Sequence, residues 1–342
     1  MAIASMNILS AAISFSHELK ETTFDQTLYP ISKPREEGYL KVSDVHTLFY
    51  ATYGNPKGIP IIVLHGGPGG GCSDDMTEVF DLSQWNVIMF DQRGAMRSTP
   101  FCSMEDNTPQ HLVEDIEKLR NHLGIEKWCV FGGSWGSTLA LLYGQAHSDH
   151  CMGFILRGIF LGNENNYMHL IRDMGKTFPE AYEPYINHIP VEERGDLLTA
   201  YYNRIFDQDP NIHLPAINLF MKLDGVAASC YPNPESVNKL MAEEKLIFSV
   251  ARAFFHYSKN KFFLEPNQIL SNMDKIQHLP AIIVQGRWDT ITPPHQAFDV
   301  YKNWPNSQLW MVTNGGHTCC EKSVASGLVI ATDLFLKKFN SK

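Results

Sequence analysis

Phe131-Gly132-Gly133-Ser134-Trp135-Gly136-Ser137 decides the fold. An apolar run, Trp128-Cys129-Val130, precedes it, and a helix-forming run, Thr138-Leu139-Ala140-Leu141-Leu142-Tyr143, follows. Read as strand, sharp turn and helix, the stretch fits G-x-S-x-G, with a serine at the tip of a strained turn and its Oγ exposed. Gly132 and Gly136 leave room where strand and helix backbones come close. The first turn of the helix aims backbone N–H groups at the same spot, which favours developing negative charge. A glycine-rich turn with an ordinary serine is the plainer reading, because five-residue motifs arise by chance. The strand–helix context and the groups found farther along the chain weigh against it.

Outward from this turn, strand-like runs recur at residues 48–53, 59–65, 85–91, 128–131, 152–156, 281–285 and 308–313. Several are almost continuously apolar, as strands buried on both faces are. Helical stretches lie between them. One is predicted over 108–123, with Thr108 as cap, Pro109 in the first turn and Gly124 as terminator. Alternating strands and helices predict an α/β fold, a mostly parallel sheet with helices on both faces. Residues 1–35 read as an N-terminal arm or leader, and 36–159 as the first part of the core. Between 160 and 273 strand runs vanish and aromatics, prolines and charges mix, which predicts an inserted helical cap over the carboxyl edge of the sheet. Most of its aromatics are expected to form the cap's own core. Residues 274–342 complete the sheet domain.

With 342 residues, 44% hydrophobic and 19% charged, the chain can bury a large core and is not globally disordered. Its net charge of −9 argues against a nucleic-acid partner. Seven irregularly spaced cysteines, with no C-x-x-C pair or zinc spacing, fit a reduced, cytoplasmic protein. Cys319-Cys320 reads first as local packing and second as a redox-sensitive spot. Met1–Phe15 carries no Lys or Arg, which argues against a secretory signal and leaves organelle targeting as the open alternative. No run approaches the ~18 apolar residues of a membrane span, so no membrane partner is expected.

After such a serine turn the expected chain order is Ser, Asp or Glu, then His. Ile282–Gln285 runs into a loop that carries Asp289. Gln308–Thr313 runs into a loop that carries His317. His317 would take the Ser134 proton and pass it to the leaving group, while Asp289 orients the imidazole. Fourteen histidines offer rivals. His295 stands just after Pro293-Pro294 at a helix start, and His65 more simply braces a turn. An oxyanion hole needs two N–H donors. Trp135 supplies one, and the glycine loop His65-Gly66-Gly67-Pro68-Gly69-Gly70-Gly71 supplies the other. No Gly-Lys-Ser/Thr follows that loop, which weighs against a phosphate site. This chemistry calls for no metal and no organic cofactor.

That glycine loop, Asp91-Gln92-Arg93-Gly94 with Arg97-Ser98-Thr99-Pro100, Gly132–Ala140, Leu156–Leu161 and Gln285–Asp289 together resemble the proline iminopeptidase (prolyl aminopeptidase) family of α/β-hydrolases, in wording nearest its plant members. The likeness spans about residues 28–340. It implies an α/β-hydrolase fold, a triad of Ser134, Asp289 and His317, oxyanion amides at Gly67 and Trp135, and substrate contacts at Arg157 and Phe160. Where that family holds a substrate's terminal amine with cap glutamates, this chain carries Leu223-Asp224 and Arg252-Ala253-Phe254. One carboxylate is thus shortened and the other replaced by a ring. Cation–π attraction to Phe254, worth about 0.5–2 kcal/mol, does not replace a carboxylate.

The expected function is a serine hydrolase of proline-iminopeptidase type, cleaving an amide or ester of a small molecule or short peptide through an acyl-enzyme. The alternatives are an esterase or amidase, an acyl-transfer or cyclising enzyme acting on a neutral metabolite, or a non-catalytic binding protein that kept the fold. A homo-oligomer is left open.

Overall fold

The apolar runs are continuous because they are covered on both sides. The computed structural model describes residues 15–231 and 233–341. Among these residues nine strands form one sheet: β1 (Glu18–Thr22), β2 (Glu36–Lys41), β3 (Thr47–Gly54), β4 (Ile59–Leu64), β5 (Trp85–Phe90), β6 (Trp128–Gly133), β7 (Cys151–Arg157), β8 (Ala281–Gly286) and β9 (Ser307–Val312). Their spatial order is β1-β9-β8-β7-β6-β4-β5-β3-β2. Pairings from β1 across to β5 are parallel, while β3 runs antiparallel to both β5 and β2.

Alternate residues of each strand feed two cores. Ile62, Val130, Leu156 and Ile283 face one side, against α1 (Pro109–His122), α2 (Trp135–Ala146) and α9 (His295–Lys302). Ile61, Cys129, Ile155 and Val284 face the other, against α10 (Lys322–Asn340). α1 begins and ends as its sequence predicts. The Thr108 side chain accepts from the His111 amide, Pro109 opens the first turn, and Gly124 follows the last turn at φ +65°.

The arm is part of the sheet. β1 pairs with β9 along its whole length, from Glu18 opposite Gln308 to Thr22 opposite Val312. Beyond β1 the arm crosses α10, where the Phe24 amide donates to Ser323 Oγ and the Tyr29 hydroxyl donates to Asp333. The leader reading of residues 1–14 lies outside the described residues.

Between β7 and β8 the described residues contain helices and no strand. They are α3 (Glu164–Met168), α4 (Pro179–Asn187), α5 (Leu197–Ile205), α6 (Pro210–Ala227), α7 (Pro234–Ala242) and α8 (Glu244–Lys259). Aromatic rings hold this insertion together. Tyr185 stacks on Tyr201 with centroids 4.2 Å apart, and Phe220 stacks on Phe254 at 5.1 Å.

Candidate active site

β6 delivers the chain to Ser134 at φ +57°, ψ −127°, and α2 starts at the next residue. A non-glycine residue held there costs on the order of 1–3 kcal/mol and persists only when its surroundings fix it. The surroundings do so. The Ser134 amide donates to the Arg157 carbonyl at 2.9 Å, and Ser137 Oγ donates to the Ser134 carbonyl at 2.6 Å. A β-carbon at Gly136 would collide with the carbonyl oxygen of Leu64, so the helix can lie this close only with glycine there.

The loop after β8 carries Asp289 and the loop after β9 carries His317, and the two meet. Asp289 Oδ2 lies 2.9 Å from His317 Nδ1. The carboxylate is buried and fully engaged. Its Oδ1 accepts from the amides of Ile291 and Thr292 at 3.0 and 2.7 Å. Its Oδ2 also accepts from Gln285 Nε2 at 3.0 Å and Thr292 Oγ1 at 2.9 Å. Burial alone would push this carboxyl up. The His317 imidazole and the Thr292 hydrogen bonds outweigh it and hold Asp289 below the usual carboxylate range. An acid so held stays ionised and fixes the imidazole with Nδ1 as donor and Nε2 free to accept.

Ser134 and His317 line the same cavity, of about 210 Å³. His317 Nε2 faces Arg157 Nη1 at 3.3 Å, and the same guanidinium nitrogen donates to the His317 carbonyl at 2.8 Å. Arg157, the last residue of β7, thus rests on the face of the imidazole through which a serine proton would arrive. Among the described residues His317 Nε2 is hydrogen-bonded to Arg157 rather than to Ser134 Oγ; hydrogen bonds between nucleophile and base are commonly long before a substrate is bound.

Every residue singled out for substrate contact reaches this cavity: Arg157, Phe160, Asp224 and Phe254 line it together with Ser134 and Gly67. Asp224, on α6, stands on the cavity wall. It supplies the carboxylate among the lining residues; Phe160, Phe220, Met221, Leu240, Leu246, Val250 and Phe254 supply apolar surface. Burial pushes the Asp224 carboxyl up to about 6, although the positive charge available at His317 pulls the other way.

Trp135, whose amide is the other oxyanion candidate, is buried as the first residue of α2. Its indole donates to Gln92 Oε1 at 2.8 Å, and Gln92 Nε2 donates to the His65 carbonyl at 2.9 Å. This bridge ties the serine turn to the glycine loop. His65 braces that loop through its ring: Nε2 accepts from the Gln92 amide at 3.0 Å, and burial keeps the imidazole neutral by lowering its pKa. His295 opens α9 and is not among the cavity-lining residues.

The insertion is clasped to the histidine loop. The amides of His317 and Thr318 both donate to the Ala228 carbonyl, at 2.9 and 2.8 Å. Glu321 accepts from the amides of Gly316 and Cys230. Sequence reasoning did not single out Gln92, Gln285, Thr292 or Glu321. The first three stand inside or beside quoted motifs, which is the signal that marks them; Glu321 carries none.

The open parallel sheet, the strained serine turn and a Ser, Asp, His chain order define an α/β-hydrolase, and the family model described as "alpha/beta hydrolase fold" matches residues 59–323. A protein of Leptolyngbya boryana named probable proline iminopeptidase is 43% identical over 318 residues, covering 92% of this chain and 99% of that one. The Arabidopsis thaliana proline iminopeptidase is 42% identical over 320 residues, covering 93% of this chain and 84% of its own. The solved Mycobacterium smegmatis proline iminopeptidase superposes with a TM-score of 0.61 at 17% identity, over 90% of this chain and all of that one, a likeness of fold. The chain belongs to the proline iminopeptidase family of α/β-hydrolases. It is a serine hydrolase, as the sequence predicts. Among the described residues no helix is long and apolar enough to cross a membrane.

Proposed function

We propose that Ser134 attacks the carbonyl of a small amide or ester, with His317 as general base and Asp289 as its orienting acid. His317 Nε2 takes the serine proton as the acyl bond forms and returns it to the leaving amine or alcohol; water then reverses the sequence. The amides of Gly67 and Trp135 receive the oxyanion, aided by the N-terminal end of α2. Arg157 leaves Nε2 as substrate arrives and turns its guanidinium to a substrate oxygen. The helices of the insertion act as a cap that excludes water during acyl transfer. The observation that carries this reading is the 2.9 Å Asp289–His317 pair opening on the cavity of the positive-φ serine. A fluorophosphonate probe tests it. The wild type should label and Ser134→Ala should not; an unlabelled wild type would refute the nucleophile.

The relatives' names support release of an N-terminal proline as the reaction, with Asp224 as the contact for the free amine. A second reading is favoured by Phe254, which faces the cavity where an apolar wall surrounds the single acid. In that reading the preferred substrate is a neutral ester or amide, because one carboxylate offsets only part of the cost of taking an ammonium group out of water. Proline naphthylamide and simple aryl esters, assayed side by side, separate the two.

A further inference from the structure

A second cavity, of about 290 Å³, adjoins the first at Arg157. Cys319, Cys320, Asp75, Met76 and Leu328 line it, and Arg157 and Gly66 line both cavities. Cys320 is exposed and Cys319 half-buried, so small solutes reach the pair. We propose that Cys319 and Cys320 form a thiol pair through which peroxide-class oxidants switch off the hydrolase, by distorting the loop that carries His317. The proposal rests on the function proposed above for Ser134 and His317.

Cys319 is unlike the other described cysteines, including Cys320, whose thiol is pushed up by its hydrogen bond with Cys319 and by burial. Burial pushes the thiols of Cys72, Cys102, Cys129, Cys151 and Cys230 up. Cys319 goes the other way. The neighbouring Cys320 thiol stabilises its thiolate by hydrogen bonding, and the Arg157 guanidinium and the His317 imidazole add to this, against the cost of burial and the nearby Asp75 carboxylate. The thiolate is the reactive form toward peroxide.

The reaction balances with peroxide as the two-electron oxidant. The Cys319 thiolate attacks one peroxide oxygen, the O–O bond breaks, and the departing hydroxide takes up a proton as water. The sulfenic acid left on Cys319 is attacked by the Cys320 sulfur, which loses its proton. An S–S bond forms, the S–O bond breaks, and a second water leaves. Two thiols are oxidised and one peroxide is reduced.

Adjacency makes the product disruptive. Neighbouring α-carbons stand about 3.8 Å apart, below the roughly 4.4–6.8 Å that a disulfide ordinarily spans. The backbone at 318–321 must therefore move. That backbone is pinned close to His317 by the Ala228 carbonyl, by Glu321, and by Thr318 Oγ1, which accepts from the Cys320 amide at 3.1 Å. Any rearrangement shifts the imidazole and the Arg157 guanidinium hydrogen-bonded to its carbonyl. A strained bond is also readily reduced, which makes the change reversible.

The test uses the full-length reduced protein, with two readouts. One is the rate of fluorophosphonate labelling. The other is the mass of the tryptic peptide 303–322, in which Cys319 and Cys320 are the only cysteines. After peroxide the peptide should lose a pair of hydrogens and labelling should slow on the order of a hundredfold, the penalty of an ångström-scale misplacement. A dithiol should reverse both. Cys320→Ser should instead gain oxygen on Cys319, and Cys319→Ser should keep its labelling rate under the same peroxide. The proposal is overturned by an unlinked peptide, by linkage with unchanged labelling, or by equal inactivation of Cys319→Ser. Failure of the reduced wild type to label would overturn the assignment of Ser134, and the peptide mass would still report whether the thiols join. The mass readout on wild type also stands if a serine variant fails to fold.

Discussion

Replacing Asp224 by asparagine separates the cost of burying a charge from the use made of it. Burial raises the Asp224 carboxyl from 3.8 to about 6. At 1.36 kcal/mol per pKa unit, a rise of about 2 units corresponds to about 3 kcal/mol between the protonated and ionised forms. The sign follows from proton binding. Between pH 3.8 and about 6 the folded protein holds the proton that the unfolded chain has released. Stability is therefore greatest below pH 4 and falls as pH rises through 6, after which the loss is complete. The neutral amide of the variant mimics the protonated acid at every pH. Asp224→Asn should match the wild type in urea denaturation at pH 4 and exceed it by about 3 kcal/mol at pH 8. The same variant should lose cleavage of proline naphthylamide by tenfold or more, on the order of one charged hydrogen bond, and keep cleavage of a neutral aryl ester. An equal stability difference at both pH values would refute the buried-charge argument. Unchanged turnover of the free-amine substrate would refute the role of Asp224 in meeting it.

Three further substitutions follow from the same site. Phe254→Glu puts a second acid on the cavity wall and should raise kcat/KM for free-amine amides by roughly tenfold or more, read against an aryl ester as internal control; no gain would remove the argument built on the ring. Thr292→Val deletes the hydroxyl that donates to Asp289 at 2.9 Å. It should lower kcat about tenfold with little change in KM. Gly136→Ala forces a methyl group into the Leu64 carbonyl. It should cost more than ~4 kcal/mol, seen as lost soluble yield or a collapsed melting temperature; a normal Tm would contradict the close approach of α2 to β4.

The sheet was legible where burial on both faces left continuous apolar runs, as at Ile59–Leu64 and Ala281–Gly286. It was illegible at its edges. β1 reads ELKET and β2 reads EEGYLK, and both alternate exposed with half-buried residues, with Leu19 and Tyr39 on the exposed side, because one side meets water. Nothing in Glu18–Thr22 announces that it will lie beside β9. The serine turn was legible because a positive φ beside a helix start needs a specific run of small residues. The meeting of Asp289 with His317 could be expected from chain order alone. The position of Arg157 against His317 Nε2 could not, since it depends on how the ends of β7 and β9 splay across an intervening strand. Asp224 and Phe254 were flagged through resemblance rather than pattern, and both reach the cavity. In a helical region their spacing alone does not tell a pocket wall from a packed core.

The clasp between the Ala228–Cys230 turn and the His317 loop bears on how the enzyme must breathe. Raising the insertion at that end would strip the imidazole-bearing segment of the Ala228 acceptor and the Glu321 tether together. That end is therefore the pivot. The stretch around Leu240 and Leu246 borders the same hollow without touching the His317 loop through those hydrogen bonds, so movement there would leave the loop held.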